Sequence, residues 1–231
     1  MSIAVVIGAS GGIGGAIEAA LKEEGSHAHV IGLARSRSGP DHLDLLDEGS
    51  IAAAAERVKA IGAPDLVFVA TGMLSEGERG PEKAIRDLNA EWLARVYAIN
   101  TIGPALVAKH FLPLLPREGR PVFAALSARV GSIGDNRLGG WHGYRASKAA
   151  LNMMIRNFAI EAKRRSERSV VVGLHPGTVD TGLSRPFQGN VAPGKLFDPE
   201  RAALQLLDVI DGLKPQDSGK CFAWDGAEIP F

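Results

Sequence analysis

Short apolar runs alternate with helix-period segments from one end of this 231-residue chain to the other. Ile3–Ile7, His29–Leu33, Leu66–Ala70, Val122–Leu126, Val170–Leu174 and Lys220–Trp224 read as strands, with His42–Leu45 as a short additional one. Ile13, Ala16, Ile17, Ala20 and Leu21 recur at helical spacing before Gly25, and Leu151, Met154, Ile155, Phe158 and Ala159 do so within Tyr144–Arg164. The pattern predicts further helices over Ile51–Ile61, Pro81–Asn100, Gly103–Leu115 and Pro199–Leu213, with Ser50 as the N-cap of the first and Gly62 just past its end. Strand–helix alternation of this kind specifies βαβ units and a parallel sheet. Right-handed crossovers then place helices on both of its faces. No composition break, low-complexity run or repeat interrupts the alternation, so residues 1–231 are expected to form one domain. The stretch Thr178–Phe197 stands apart: it is rich in Gly, Pro and polar residues, and an irregular run of this length suits a substrate loop.

Charge excludes some partners. Lys plus Arg and Asp plus Glu are each 26, so the chain offers no long-range field to a polyanion. Nucleic acid and anionic membrane are not expected as main partners. The N-terminus lacks the charged start and cleavage site of a signal peptide, and no apolar run reaches the ~18 residues of a membrane span. One cysteine, Cys221, rules out an internal disulfide and fits a reducing, cytoplasmic setting, where it reads as a packed small residue. The six histidines are scattered without metal-ligand spacing, so no metal is expected.

Gly8-Ala9-Ser10-Gly11-Gly12-Ile13-Gly14 joins the first strand to the first helix. Glycine permits the sharp turn, lets backbone approach a pyrophosphate, and lets the helix pack close to the sheet. The helix N-terminus then presents free N–H groups and a positive dipole end to phosphate. Farther on, Tyr144-Arg145-Ala146-Ser147-Lys148 places a phenol and an ammonium at i and i+4, one turn apart on one helical face. Leu151 and Ile155 continue roughly the same stripe, so that face points inward. A free phenol, with pKa ~10, transfers protons poorly at neutral pH. Bringing it to neutrality takes ~4 kcal/mol of differential interaction, much of which a nearby cation can supply. A third stretch, Pro176-Gly177-Thr178-Val179-Asp180-Thr181, follows the Val170–Leu174 strand at the edge where open α/β sheets bind ligands.

Together these motifs resemble the short-chain dehydrogenase/reductase family over nearly the whole chain. The stretch Leu126–Trp141 with the Tyr144–Lys148 motif, and the ending Trp224–Pro230, are similar to the branch containing the C-factor and sniffer-type carbonyl reductases. The resemblance implies a Rossmann-type α/β fold: a doubly wound, mostly parallel seven-stranded sheet in a three-layer αβα sandwich. It implies a nicotinamide cofactor cradled by Gly8, Ser10, Gly12, Ile13 and Gly14, with Asp44 and Leu45 against adenine. Ala70-Thr71-Gly72 stands where the family commonly has Asn-Ala-Gly, a partial match, and Ile7 stands where Thr is usual. Pro176, Gly177, Val179 and Thr181 match the segment that lies against the nicotinamide. At the end of the second strand, Ala34 replaces the acid of an NAD site and Arg35-Ser36 follow. A guanidinium grips a 2′-phosphate that a carboxylate would repel, so NADP(H) is expected over NAD(H), with Arg37 able to share the role.

Tyr144 is implied as general acid/base, and Lys148 as its tuner and a ribose ligand. Asn100 is implied as the holder of a water in a relay reaching the lysine. The family's serine slot, three residues before Gly131, is filled by Ala128. Ser127, one residue earlier, and Ser132, just after Gly131, are both candidates for binding the carbonyl oxygen. Strand alternation would point Ser127 away unless a bulge intervenes. Trp141 and His142 adjoin Tyr144 and suit either the pocket or packing. The expected activity is hydride transfer between the nicotinamide and a small-molecule carbonyl or alcohol, in a homodimer or homotetramer built on the helices within Glu91–Leu115 and Tyr144–Arg164. Two alternatives stay open: a dinucleotide-binding signalling or redox-sensing protein with little turnover, and an epimerase or dehydratase on the same fold.

Overall fold

The computed structural model describes residues 2–231. Its elements run β1 (Ile3–Ile7), α1 (Gly12–Glu24), β2 (His29–Leu33), α2 (Glu48–Ile61), β3 (Leu66–Val69), α3 (Ala90–Tyr97), α4 (Gly103–Phe111), β4 (Val122–Leu126), α5 (His142–Arg165), β5 (Val170–His175), β6 (Thr178–Val179), β7 (Leu196–Phe197), α6 (Pro199–Gly212), β8 (Cys221–Ala223) and β9 (Glu228–Ile229). Seven strands form one sheet in the order β2-β1-β3-β4-β5-β8-β9. All neighbours pair in parallel except the last, where β9 returns antiparallel on β8. This is the Rossmann-type, doubly wound αβα sandwich implied by the resemblance.

The two sides of the sheet make the two halves of the core. Residues at odd positions of β1 and β4, such as Val5 and Phe123, pack with α2, α4 and α5 through Ile51, Phe111, Leu151 and Ile155. Their neighbours Val6 and Ala124 pack with α1 and α6 through Ile17, Leu21, Leu206 and Ile210. Strands buried on both faces therefore read as unbroken apolar runs. Cys221 lies fully buried at the start of β8, where burial pushes its thiol up to about 12.

Several local expectations change. His42–Leu45 is not a strand, since only an isolated Ala34–His42 bridge forms there and the chain then turns into α2. That helix starts earlier than expected: Asp47 caps it by accepting the Gly49 N–H at 2.9 Å, while the Ser50 hydroxyl accepts from the Asp44 N–H. The long helix expected from Pro81 begins only at Ala90, capped by Asn89 accepting from the Trp92 N–H. Residues before it form loops held by Asp87, whose carboxylate accepts from Lys83 and Ala84 N–H groups. Between α3 and α4 the chain makes a widened π turn over Ala98–Ile102, and Pro113 lies in the short 3-10 turn that follows α4. The expected substrate loop contains the small β6–β7 ribbon and a 3-10 segment over Arg185–Asn190. Among the described residues no helix is long and apolar enough to cross a membrane, and no cluster of His, Cys, Asp and Glu could hold a metal.

Candidate active site

The carboxyl ends of β1, β3, β4 and β5 open on a crevice with two adjoining chambers. One, of about 410 Å³, is lined by Gly8, Ser10, Arg35, Ser36, Asp44 and Leu45. The other, of about 470 Å³, is lined by Gly12, Ile13, Tyr144, Lys148, Pro176, Gly177, Val179 and Thr181. Gly11, Ala70, Thr71 and Gly72 border both, so the chambers meet over the end of β3.

The glycine turn is built for close approach. Gly8 takes a φ of 89°, and its N–H and that of Ala9 both donate to the Leu33 carbonyl, tying the turn to β2. A Cβ on Gly14 would overlap the Gly8 carbonyl oxygen, so only glycine lets α1 sit this near the sheet. A Cβ on Gly12 would meet the Thr181 methyl at 2.8 Å. The N-terminus of α1 has no side-chain cap and no acidic residue in its first turn. Its N–H groups and dipole are thus left for an anion at the crevice wall. The Thr71 hydroxyl at the junction is buried without a protein partner. These features fit a dinucleotide.

The first chamber carries mixed charge. Arg35 and Ser36 are exposed on it. Arg37 turns elsewhere: its guanidinium holds the buried Glu18 carboxylate and the Gly32 carbonyl, the latter at 2.6 Å, so it does not share the Arg35 position. Glu76, on the same chamber, is paired with Arg95 at 2.7 Å, which holds its carboxyl below the usual range. The Asp44 carboxylate accepts from the Leu46 N–H.

In the second chamber α5 supplies the phenol and the amine. Lys148 is almost fully buried, its Nζ donating to the Leu126 carbonyl at 2.7 Å and lying 5.9 Å from the Tyr144 ring centre. Burial pushes Lys148 down to about 8 and Tyr144, which keeps partial exposure onto the cavity, up to about 12. In the protein alone, therefore, desolvation sets the phenol. Gly131 packs against α5 beside Lys148, where a Cβ would come within 2.8 Å of Lys148 atoms.

Asn100 is fully buried in the π turn and its side chain is spoken for. Its Oδ1 accepts from the Met73 N–H at 2.7 Å, and its Nδ2 donates to the Met73 carbonyl and the Ser147 hydroxyl. It staples the strand end at Gly72 to α5, a bridging role the sequence did not reveal. The two candidate serines are also engaged. The Ser127 hydroxyl donates to Asn152 Oδ1 at 2.6 Å, and Ser132, buried, accepts from the Asp135 N–H. Ser127 borders the cavity and Ser132 does not, and Ala128 forms the wall between Ser127 and Val130. The geometry thus commits the Ser127 hydroxyl to Asn152 and keeps Ser132 off the cavity, so neither is presented to a substrate oxygen.

Trp141, which the sequence left between pocket and packing, lines the cavity, and the cavity also recruits apolar residues the sequence did not point to. Trp141 lies edge-on to Tyr144 and to Phe187, at ring separations of 6.4 and 5.1 Å. Leu183 and Phe187, at i and i+4 in the substrate loop, and Leu74 and Val130 complete an apolar wall. Their common signal was the adjacency of Trp141 to Tyr144 and the helical spacing inside an otherwise irregular loop. His175, set aside among the scattered histidines, lines the same cavity, and burial pushes its imidazole down to about 4.

A doubly wound sheet with an uncapped glycine turn at one end of the crevice and a Tyr-x-x-x-Lys face at the other defines a dinucleotide-linked oxidoreductase class. Comparison with known proteins places the chain within that class. Residues 8–198 match a family model described as enoyl-(acyl carrier protein) reductase. The chain belongs to the short-chain dehydrogenase/reductase family. It is 34% identical, over the full length of both chains, to 1-hydroxy-2-glutathionyl-2-methyl-3-butene dehydrogenase of Rhodococcus sp. strain AD45. It is 38% identical over 148 residues to the C-signal of Myxococcus xanthus, covering 64% of this chain and 84% of that one. Among solved structures, an NADPH-bound carbonyl reductase from chicken fatty liver superposes with a TM-score of 0.84 and 25% identity, covering 100% and 94% of the two chains. The carbonyl reductase Sniffer of Drosophila melanogaster shares the fold, with a TM-score of 0.83 and 22% identity over 100% and 99%.

Proposed function

We propose that this protein is an NADP(H)-dependent reductase of a small-molecule carbonyl, or the corresponding alcohol dehydrogenase, with Tyr144 as general acid/base. The observation that carries the reading is the convergence of Tyr144 and Lys148 with Pro176 and Gly177 on one cavity that adjoins the glycine turn. Bound NADPH would supply the hydride. Tyr144, protonated throughout the neutral range with its phenol near 12, gives its proton to the carbonyl oxygen. The Lys148 amine, fixed by the Leu126 carbonyl and mostly charged at pH 7 with a value near 8, stabilises the phenolate left behind. With Ala128 in the serine slot, the substrate oxygen is held by Tyr144, and the apolar part of the substrate packs against Trp141 and Phe187. Arg35 and Ser36, with Ala34 in place of a carboxylate, support NADPH over NADH. Asn100 keeps α5 in register with the crevice floor through Met73 and Ser147.

Alcohol oxidation needs phenolate, so it should accelerate as pH rises above neutrality, while reduction stays near its maximum up to about pH 7 and falls as Lys148 loses its charge through pH 8. The test is NADPH oxidation over a panel of aldehydes, ketones and quinones. Turnover is expected in the wild type, with a loss of about 10²-fold or more in kcat for Tyr144→Phe at unchanged NADPH affinity. Tight NADPH binding without turnover on any carbonyl would favour the signalling alternative. The apolar surface of α5 and of the π turn before α4, with Met153, Ile160 and Ile102 about half exposed or more, supports a homodimer or homotetramer as the working form.

A further inference from the structure

Glu82 is a buried carboxylate that the proposed chemistry does not use. It lies in the loop between β3 and α3, sixty-one residues from the helix it touches, and is only 4% exposed. No cation pairs with it among the described residues. Instead its Oε2 accepts the N–H of Gly143, in the first turn of α5, at 3.0 Å. Its backbone carbonyl accepts from the Trp141 N–H. Its other oxygen, Oε1, is buried without a partner. Burying an ion costs heavily unless something compensates it. The compensation on hand is the helix itself: α5 has no N-cap side chain and no acidic residue in its first turn, so its positive end is otherwise uncapped.

Three further observations show that the local structure is arranged around this contact. Trp141, the N-cap residue, has a φ of 49°, a left-handed conformation that a bulky residue adopts only at a cost. Gly143 has no room for a side chain, since a Cβ there would lie 2.9 Å from Glu82 Oε1 and 3.0 Å from a Leu93 methyl. The strained Trp141 is then held against both Tyr144 and Phe187. We propose that Glu82 is a positioning residue: by capping the first turn of α5 from a distant loop, it holds Tyr144 and the Trp141 wall in the geometry the reaction needs. This rests on the reading of the cavity as a reductase site. It concerns the substrate side only, since the glycine turn and Arg35 lie on other elements.

The test compares wild type, Glu82→Gln, Glu82→Ala and Gly143→Ala for carbonyl reduction, NADPH affinity and amide hydrogen exchange. Glu82→Ala and Gly143→Ala break the contact from opposite sides, so failure of one to fold leaves the other. We expect kcat to fall about tenfold or more in both, as small misplacements of reacting groups do, with NADPH Kd within about twofold. Exchange at Gly143–Ser147 should rise at least about tenfold in the same variants. Glu82→Gln, which still accepts the Gly143 N–H, should stay within about threefold of wild type in kcat. A Val58→Ala control on α2, chosen to match the loss of Tm, should keep kcat, which separates positioning from general destabilisation. Unchanged kcat in both contact-breaking variants, or an equal fall in the matched control, overturns the role of Glu82 while leaving the reductase reading intact. A wild type that binds NADPH and reduces nothing overturns both.

Discussion

Arg35 and Lys148 show how much a single side chain carries when its charge has little company. Arg35 stands on a chamber where Glu76 is neutralised by Arg95 and Asp44 is turned to its own backbone. On the proposed reading it is the cation that would meet a 2′-phosphate, and one charge-assisted hydrogen-bonded contact is worth about 1.5–3 kcal/mol. Arg35→Glu should shift the ratio of kcat/KM for NADPH over NADH toward NADH by about 10–100-fold; an unchanged ratio would remove Arg35 from cofactor choice. Lys148 makes the opposite demand on the fold. Its value in the folded protein, about 8, lies below the ordinary 10.5, so between these pH values the folded chain binds fewer protons than the unfolded one. The buried amine thus costs stability below pH 8, by about 3 kcal/mol, and the cost fades as pH rises toward 10.5. Lys148→Met should abolish reduction yet raise the Tm of the cofactor-free protein at pH 7 by roughly 3–8 °C, with the gain shrinking toward pH 10. A lowered Tm would contradict this account of the buried amine. The Tyr144–Lys148 pair was legible because helical spacing alone puts i and i+4 on one face. The serines were not, because the direction of a hydroxyl at a strand end depends on its neighbours, here Asn152 and Asp135.

At the scale of elements, what could be read was what repeats locally. The buried strands and the α1, α5 and α6 helices have apolar patterns several residues long, and their positions agree with the structure to within a few residues. Caps and turns were harder. Asp47 displaced Ser50 as a cap, and Asn89 started α3 eight residues after Pro81, because several polar residues in each stretch can cap and only packing selects one. The π turn at Ala98–Ile102 left no periodic trace, since one extra residue in a helical ladder barely disturbs the pattern. The contact of α1 with the sheet offers a test at this scale. A methyl at position 14 would have to displace the Gly8 carbonyl and would press on the Ala70 side chain. Gly14→Ala should push α1 from the sheet, lower stability by about 1–3 kcal/mol and weaken NADPH binding at least about tenfold. Normal affinity, measured by NADPH fluorescence, would show that the close approach is dispensable.

For the molecule as a whole, the exposed apolar residues of α5 mark a candidate assembly surface. A cleft between α4 and α5 is lined by Leu112, Phe158 and Ala162 and flanked by Lys109 and Arg165. Met153 and Ile160 stand 62% and 48% exposed on α5, more than isolated apolar residues need be to require notice when they share one helix. If this surface joins copies of the chain, Met153→Glu should convert the wild-type oligomer into monomer, read by light scattering after size exclusion, with near-wild-type folding. A wild type that is already monomeric at micromolar concentration would refute the assembly.

The order of residues along the chain was enough to specify a parallel sheet, a glycine turn at its edge and a phenol one helical turn from an amine, because periodicity and backbone sterics act over a few residues at a time. Which groups keep free valences inside the crevice was decided only when distant segments met. Asn100 reached Met73, Ser127 reached Asn152, Arg37 reached Glu18, and Glu82 crossed sixty-one residues to cap α5. Hydrogen bonds between segments so far apart leave no period to read, since each depends on where packing puts both partners.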